Sequence, residues 1–428
     1  MLVSPSSPLR YCIVTTAHIS NNPRVVKEAD ALHEAGHDVR VVAEWNDAAS
    51  AQRDDALMRT RSWQLHRVQV ARHERASQWR WLASTVARAA ARQAFDRGLF
   101  RSAVRDQAAS RFVRQFARTA AAQEADVFIG HNLAALPAAI RAARRWGARV
   151  GFDLEDLHSG ELPDDPSADS KRRLVTAVER TYLPQCDILL ASSDGIADEV
   201  EARYGVRRPR VIHNVFPKSH RQAAVPADRR GGGISLYWYS QVIGAERGLE
   251  EAITALSMLP PTVHLHIRGR TDNGYASSLE AHALRRGVWN RVHFLEVAAP
   301  ETLVALAAQH DIGLALERPA TLNRRLCATN KLFTYLLGGI ALATSDTPGQ
   351  QSIMANAPGA GFTYPAGDAA ALARGLAELV DDSDKLAAAK RAAFEHASDR
   401  FCWEHERPKL LEALTQFETR IAPPASVR

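Results

Sequence analysis

The sequence predicts an α/β protein made of two doubly wound, Rossmann-like domains facing across a cleft. Three observations carry that expectation. The chain has 428 residues, more than a single hydrophobic core of ~250 to 300 residues accommodates. Short apolar runs alternate with helical periods along its length, as in a parallel sheet covered on both faces. The alternation breaks off between Lys218 and Gly233, in the charged, glycine-rich string KSHRQAAVPADRRGGG, and then restarts. The expected layout is a first domain over 1–217, a linker over 218–233, a second domain over 234–400, and a C-terminal helix over 401–428 that can cross back to the first domain.

The elements follow in order. YCIV is an apolar run, followed by a polar turn from Thr15 to Pro23 and then a helix whose Val25, Val26, Ala29 and Leu32 share one face. Gly36 suits the residue just past that helix, and VRVVAE supplies the next strand. DVFIGHN with a helix after Leu136, RVGFDLED, DILLASS with a helix from about Asp194, and RVIHNVFP continue the series. In the second half SLYWYS precedes a helix from Arg247, HLHIRG a helix near Ser277, RVHFLEV the segment APETLVALAAQ, DIGLAL the segment KLFTYLLGG, and ALATSD a helix near Gly349. Sheets of this kind bind ligands beyond the carboxyl ends of their strands.

Composition narrows the class. Hydrophobic content of 46% with 24% charged residues excludes a disordered or collagenous chain. Cys12, Cys186, Cys327 and Cys402 lie far apart with no C-x-x-C pair, so neither a zinc site nor a disulfide framework is expected, and the compartment reads as reducing cytoplasm. The beginning lacks a signal-peptide pattern, and no stretch reaches the ~18 apolar residues of a spanning helix. The net charge of +6 is exceeded locally: residues 75–118 hold ten arginines against Asp96 and Asp106. Val86, Ala90, Phe95, Leu99, Val104, Phe112 and Phe116 offer this region an apolar stripe, with Trp79 and Trp81 at its start. Two readings stand: a helix pair packed on the first sheet with its arginines in solvent, or one lying against anionic lipid or a polyanionic acceptor, which would place the protein peripherally on the inner face of the membrane. Nucleic acid is not expected as a partner, because the arginines lack a recognition helix or interleaved aromatics.

The turn TTAHISNNPRVVKEA puts His18, Asn21, Asn22 and Arg24 at the carboxyl end of the first strand, without the G-x-G-x-x-G of a nicotinamide or flavin site. Together with GHNLAALPAA, DLEDLHSGE, ERTYLPQCDILLASSDGIADEV, VIHNVFP, RGLEEAI and TNKLFTYLLGG, it makes the chain resemble the family-4-like glycosyltransferases of GT-B fold, over roughly residues 10–400. The resemblance implies transfer of a sugar from a nucleotide diphosphate sugar to a hydroxyl-bearing acceptor, with retention of configuration. The acceptor would be a glycan, a lipid-linked sugar or a small metabolite. A sugar-nucleotide epimerase on the same scaffold and a non-catalytic GT-B partner subunit are the alternative functions.

Chemistry independent of the family points to the same places. A diphosphate is held by a helix N-terminus plus a cation. The turn SQVIGAERG, with Gly244, Arg247 and Gly248, offers one such arrangement, and Lys331 at the start of NKLFTYLL offers another. The resemblance assigns the donor phosphates to Arg247 and Lys331, with Asn330 beside them, and no metal or other cofactor. It places His131 near the transferred sugar, while capping of the next helix by Asn132 is the competing account. Asp153, Glu155, Asp156, His158 and Glu161 crowd one loop and could face acceptor hydroxyls, a divalent ion or the arginines of 75–118. His18, Asn22 and Glu155 are the acceptor-side candidates. The family's two glutamates eight apart are missing: the position that would hold the ribose is Thr334, and Leu326 stands eight before it. Glu317, directly after a strand, is the remaining carboxylate that could swing toward the sugar. Introducing a carboxylate by Thr334→Glu is then expected to tighten donor binding, provided the pocket keeps the family's shape.

Overall fold

The computed structural model describes residues 8–72, 75–271 and 274–415, and of residues 75–77 the backbone only. The chain divides into two compact units. The first comprises residues up to 192, 196–212 and the stretch from 407 on, and the second comprises 193–195 and 213–406.

The first unit is built on seven parallel strands: β1 (Arg10–Thr15), β2 (Asp38–Trp45), β3 (Gln64–Gln69), β4 (Val127–His131), β5 (Arg149–Leu154), β6 (Ile188–Ala191) and β7 (Arg210–Val211), in the order β3-β2-β1-β4-β5-β6-β7. Its helices are α1 (Pro23–Glu34), α2 (Ala48–Met58), α3 (Arg75–Asp96), α4 (Ser102–Ala109), α5 (Val113–Ala121), α6 (Leu136–Trp146), α7 (Asp169–Tyr182) and α8 (Asp194–Tyr204). Central strands read as apolar runs because both of their faces are covered, and every residue of β4 is buried. The order reverses between β1 and β4, and this switch point fixes where a ligand crevice forms. Asn22 accepts the Val25 N–H and Pro23 opens α1, while Gly36 closes the turn after it with φ +95°.

The second unit has six parallel strands: β8 (Ile234–Ile243), β9 (Val263–Thr271), β10 (Val292–Leu295), β11 (Ile312–Ala315), β12 (Ala341–Ser345) and β13 (Gly361–Tyr364), in the order β10-β9-β8-β11-β12-β13. Around them run α9 (Leu249–Leu256), α10 (Tyr275–Arg285), α11 (Leu303–Ala307), α12 (Leu322–Leu326), α13 (Asn330–Gly338), α14 (Pro348–Ala355), α15 (Ala369–Val380) and α16 (Ser383–Asp399), while α17 (Trp403–Thr415) begins in this unit and from residue 407 belongs to the first. The switch point here lies between β8 and β11.

Three expectations are corrected. The stretch 218–233 is not a free linker but part of the second unit: Asp228 pairs with Arg268, Arg229 lies 3.0 Å from Asp311, and the Arg221 guanidinium sits 4.1 Å over the Phe394 ring. These charges have partners far along the chain. Region 75–118 forms three helices rather than a pair, and the proposed stripe divides: Phe95 and Phe116 are buried, whereas Val86 and Leu99 are exposed. Nor are its arginines uniformly in solvent, since Arg105 is buried and donates to the Thr181 hydroxyl at 2.9 Å. Finally, the helix expected from Arg247 starts at Leu249, because Gly248 holds the left-handed φ of +73° ahead of it.

No helix among the described residues is long and apolar enough to cross a membrane.

Candidate functional site

In the second unit the carboxyl ends of β8 and β11 flank the switch point, and the predicted donor residues gather there. The turn after β8 ends at Gly248, where a Cβ would lie 2.4 Å from that of Leu316, so both φ and space require glycine. At Gly244 nothing in the protein requires it, for a Cβ would meet open space. Past Gly248 α9 begins with no side-chain cap, and the first N–H groups of a helix lack partners within it, the arrangement that holds an anion.

Glu317 stands two residues past β11, and its carboxylate accepts from Lys331 Nζ at 2.5 Å. Both side chains are buried, so Lys331, expected at a solvent-facing edge, is half of an interior ion pair. Burial alone would raise the Glu317 carboxyl, but the ammonium of Lys331, with Arg247 and Arg324 farther out, holds it below the usual value. The Lys331 ammonium also sits 5.5 Å over the Trp238 ring. Arg247 is half-buried, Asn330 is exposed at the first turn of α13, and Arg324 is tied to the Glu246 carbonyl at 2.9 Å. Arg324 was not singled out in the sequence, because nothing in an arginine's own neighbours shows that it acts on a distant carboxylate such as Glu317.

Thr334 is fully buried. Its hydroxyl donates to the Asn330 carbonyl at 3.0 Å and lies 2.7 Å from the Tyr239 hydroxyl. Tyr239 therefore occupies the room beside Thr334, and the expectation that Thr334→Glu would tighten nucleotide binding is reversed: the new carboxylate would enter a closed, satisfied pair.

In the first unit the ends of β1, β4 and β5 bring together four groups. Arg24 Nε donates to Asp153 at 2.7 Å, and His131 Nε2 lies 3.1 Å from a Glu28 carboxylate oxygen, all four residues being buried. Burial works against charge on His131, yet Glu28, by charge and hydrogen bond, and Asp153 raise it above its usual value. The tetrad thus joins two basic and two acidic side chains. Among the described residues, Arg24 Nη2, Glu28 Oε1, His131 Nδ1 and Asp153 Oδ1 find no hydrogen-bond partner. Glu28, His131 and Asp153 each offer a ligand atom within 4.8 Å of the others. The guanidinium bonded to Asp153 already supplies the compensating charge, so a divalent ion is not the natural occupant.

Asn132 resolves the competing account of this strand end. It has φ +68° and its Oδ1 accepts from the Thr15 hydroxyl at 2.9 Å, whereas α6 has no side-chain cap. Two acceptor-side candidates are engaged by the protein itself. His18 has Nδ1 2.6 Å from Asp54 and Nε2 3.1 Å from the Asn46 side chain, and Asn22 is a helix cap. Glu155 is half-buried beside the tetrad; burial raises its carboxyl, Arg24 opposes the rise, and Asp156 and Asp153 add to it. The rest of the acidic loop disperses, with His158 Nδ1 3.4 Å from Glu161.

The His131–Glu28 pair makes stability depend on pH with a defined sign. A histidine raised in the folded state stabilises fully below its unfolded value near ~6.5 and loses that contribution as pH rises through the folded value. Glu28→Gln is therefore expected to lower the urea midpoint more at pH 6 than at pH 9, and an equal loss at both would contradict the pairing.

Residues 22–215 match the glycosyl transferase 4-like domain family. No curated protein matches the chain significantly. Among solved structures, Anabaena Alr3699/HepE in complex with UDP is similar at 16% identity and a TM-score of 0.69, over 95% of this chain and 100% of that one. A Rickettsia africae glycosyltransferase is similar at 11% identity and 0.68, over 97% and 100%. Sucrose-phosphate synthase from Thermosynechococcus elongatus is similar at 15% and 0.68, over 96% and 100%. Residues 22–215 thus match a glycosyl transferase 4-like domain, and the chain has the GT-B fold of these structures.

Proposed function

We propose that the chain moves a sugar from a nucleotide diphosphate sugar to a hydroxyl-bearing acceptor with retention of configuration, binding donor in the second unit and acceptor in the first. The observation that carries this reading is the cationic edge of the second sheet: the α9 N-terminus with Arg247, Arg324 and the Lys331–Glu317 pair beside the switch point. Arg247 and Lys331 take the leaving diphosphate, and this electrostatic preorganisation is usually the largest catalytic term. Glu317 holds Lys331 in place, and Asn330, exposed at the start of α13, faces the nucleoside. The acceptor hydroxyl attacks the anomeric carbon from the face the diphosphate leaves, and a phosphate oxygen takes its proton. No metal takes part in this scheme. His131, whose Nε2 lies 3.1 Å from Glu28, turns Nδ1 to a sugar hydroxyl. Similar structures contain UDP, which supports a uridine diphosphate sugar as the first donor to try.

Thermal-shift screening against UDP-, GDP-, dTDP- and ADP-sugars tests the reading, since a ligand of the native state raises stability by mass action. One nucleotide sugar is expected to raise the Tm, and a flat response to all four would sink it. Incubation with that donor alone is expected to give no epimer.

We further propose peripheral contact with anionic membrane through 75–118. Trp79, Leu82 and Val86 on α3, with Leu99 and Phe100 after it, are exposed amid arginines. Each basic residue near an anionic leaflet contributes about 1 kcal/mol, screened by salt. Trp79→Ala with Phe100→Ala is expected to release the protein from anionic vesicles at low salt, and equal sedimentation with neutral and anionic vesicles would contradict the contact.

A further inference from the structure

The first unit contains a cavity of about 480 Å3 at the carboxyl edge of its sheet, between the ends of β2 and β3, helix α3 and the loop joining α4 to α5. One side is cationic. Arg72 and Arg111 each hold their guanidinium 4.9 Å from the centroid of the Trp81 ring, and Arg88 lies alongside with its Nε donated to the Ala108 carbonyl at 3.2 Å. Among the described residues no carboxylate is ion-paired with any of the three. Three like charges around one cavity repel unless an anion joins them. Burial and the neighbouring Arg92 and Arg111 push the Arg88 guanidinium below its usual value, as that crowding requires.

The cavity also has a polar wall of the opposite kind. Glu44 and Asp47 line it, and Asn46 Nδ2 donates to Glu44 at 2.9 Å. Asn46 is in turn fixed by His18, whose other ring nitrogen lies 2.6 Å from the buried Asp54. The chain Asp54–His18–Asn46–Glu44 thus holds an acceptor of hydroxyl hydrogens in place, which gives His18 a positioning role rather than a contact. A cavity of this size, with hydroxyl acceptors on one wall and guanidinium groups on the other, fits one sugar ring bearing an anionic substituent. Three guanidinium groups match a dianion better than a carboxylate, which a single arginine satisfies through two hydrogen bonds.

We propose that this cavity binds the acceptor and that the acceptor is a phosphate-bearing sugar. The proposal rests on the reading of the first unit as the acceptor side and adds to it the chemical class. Helix α3 presents Trp81 and Arg88 to the cavity, while Trp79, Leu82 and Val86 are exposed on its other side, so a soluble sugar phosphate and a lipid-linked one can reach the same site.

The test is a tryptophan-fluorescence titration with glucose 1-phosphate, glucose, glucuronate and inorganic phosphate in the presence of saturating UDP, which blocks phosphate sites in the second unit. Glucose linked to a polyprenyl diphosphate, in neutral vesicles, forms the lipid arm. Glucose 1-phosphate is expected to bind at least tenfold more tightly than glucose or glucuronate. Arg111→Gln combined with Arg88→Gln is expected to weaken it tenfold or more, with UDP affinity by calorimetry unchanged. Trp81→Phe keeps the ring that the arginines pack on and is expected to retain binding, followed calorimetrically. Tighter binding in the lipid arm than of glucose 1-phosphate identifies the lipid-linked source, and the reverse identifies the soluble one. Glucose 1-phosphate affinity equal to that of glucose, or untouched by the arginine pair, would overturn the proposal while UDP binding leaves the donor reading standing. If UDP does not bind the native protein, the donor reading fails, and the arginine-dependent titration still decides the cavity.

Discussion

Replacing Lys331 by methionine is expected to abolish donor binding and to destabilise the second unit by about 3 to 5 kcal/mol, the range for breaking a buried ion pair from one side. The reason is Glu317: its carboxylate lies 2.5 Å from the ammonium, both groups are buried, and among the described residues no other cation is ion-paired with it. The second change Glu317→Gln removes the stranded charge. The double variant is expected to recover most of the stability without recovering nucleotide affinity, as read by denaturant midpoints and calorimetry. A Lys331→Met protein as stable as wild type would show that the pair is not the anchor the geometry makes it. Arg247→Ala separates the two roles, since Arg247 is half-buried and its loss is expected to cost donor affinity with little change in stability.

Thr334→Glu is the second large effect. The side chain is fully buried, with its hydroxyl shared between Tyr239 and the Asn330 carbonyl. A longer, ionisable group there overpacks the site, which typically costs 1 to 3 kcal/mol, and places a carboxyl where burial disfavours charge. The expected outcome is a loss of about 2 kcal/mol or more and weaker nucleotide binding. Adding Tyr239→Ala makes room, so the double variant is expected to regain part of both. Unchanged stability with tightened donor affinity in Thr334→Glu alone would contradict the closed pair.

The strands and the parallel, doubly wound class were legible because the strands of a covered parallel sheet are apolar runs, and YCIV, DVFIGHN and DIGLAL advertise themselves. Arg247, Gly248 and Lys331 could be found because a diphosphate site needs glycine and cations at strand ends. What could not be read was pairing across elements. Glu317 and Lys331 stand fourteen residues apart on different elements, and Arg24 meets Asp153 across 129 positions. No local pattern reveals either contact, so one residue was expected at a solvent edge and the other in a crowd of unneutralised acids. The same limit made 218–233 look like a linker. Tyr239 beside Thr334 was hidden for a related reason: it belongs to β8, and only the register of β8 against α13 shows that a strand residue fills the missing glutamate's place.

The central claim is that the cationic edge of the second unit holds a nucleotide diphosphate sugar. Calorimetric titration of the wild type and Arg247→Ala with UDP-, GDP-, dTDP- and ADP-sugars tests it most directly. One donor is expected to bind the wild type and to lose tenfold or more in Arg247→Ala, since a charge-assisted bond to phosphate contributes about 1.5 to 3 kcal/mol. Binding of every donor to both proteins with equal affinity, or to neither, would contradict the account.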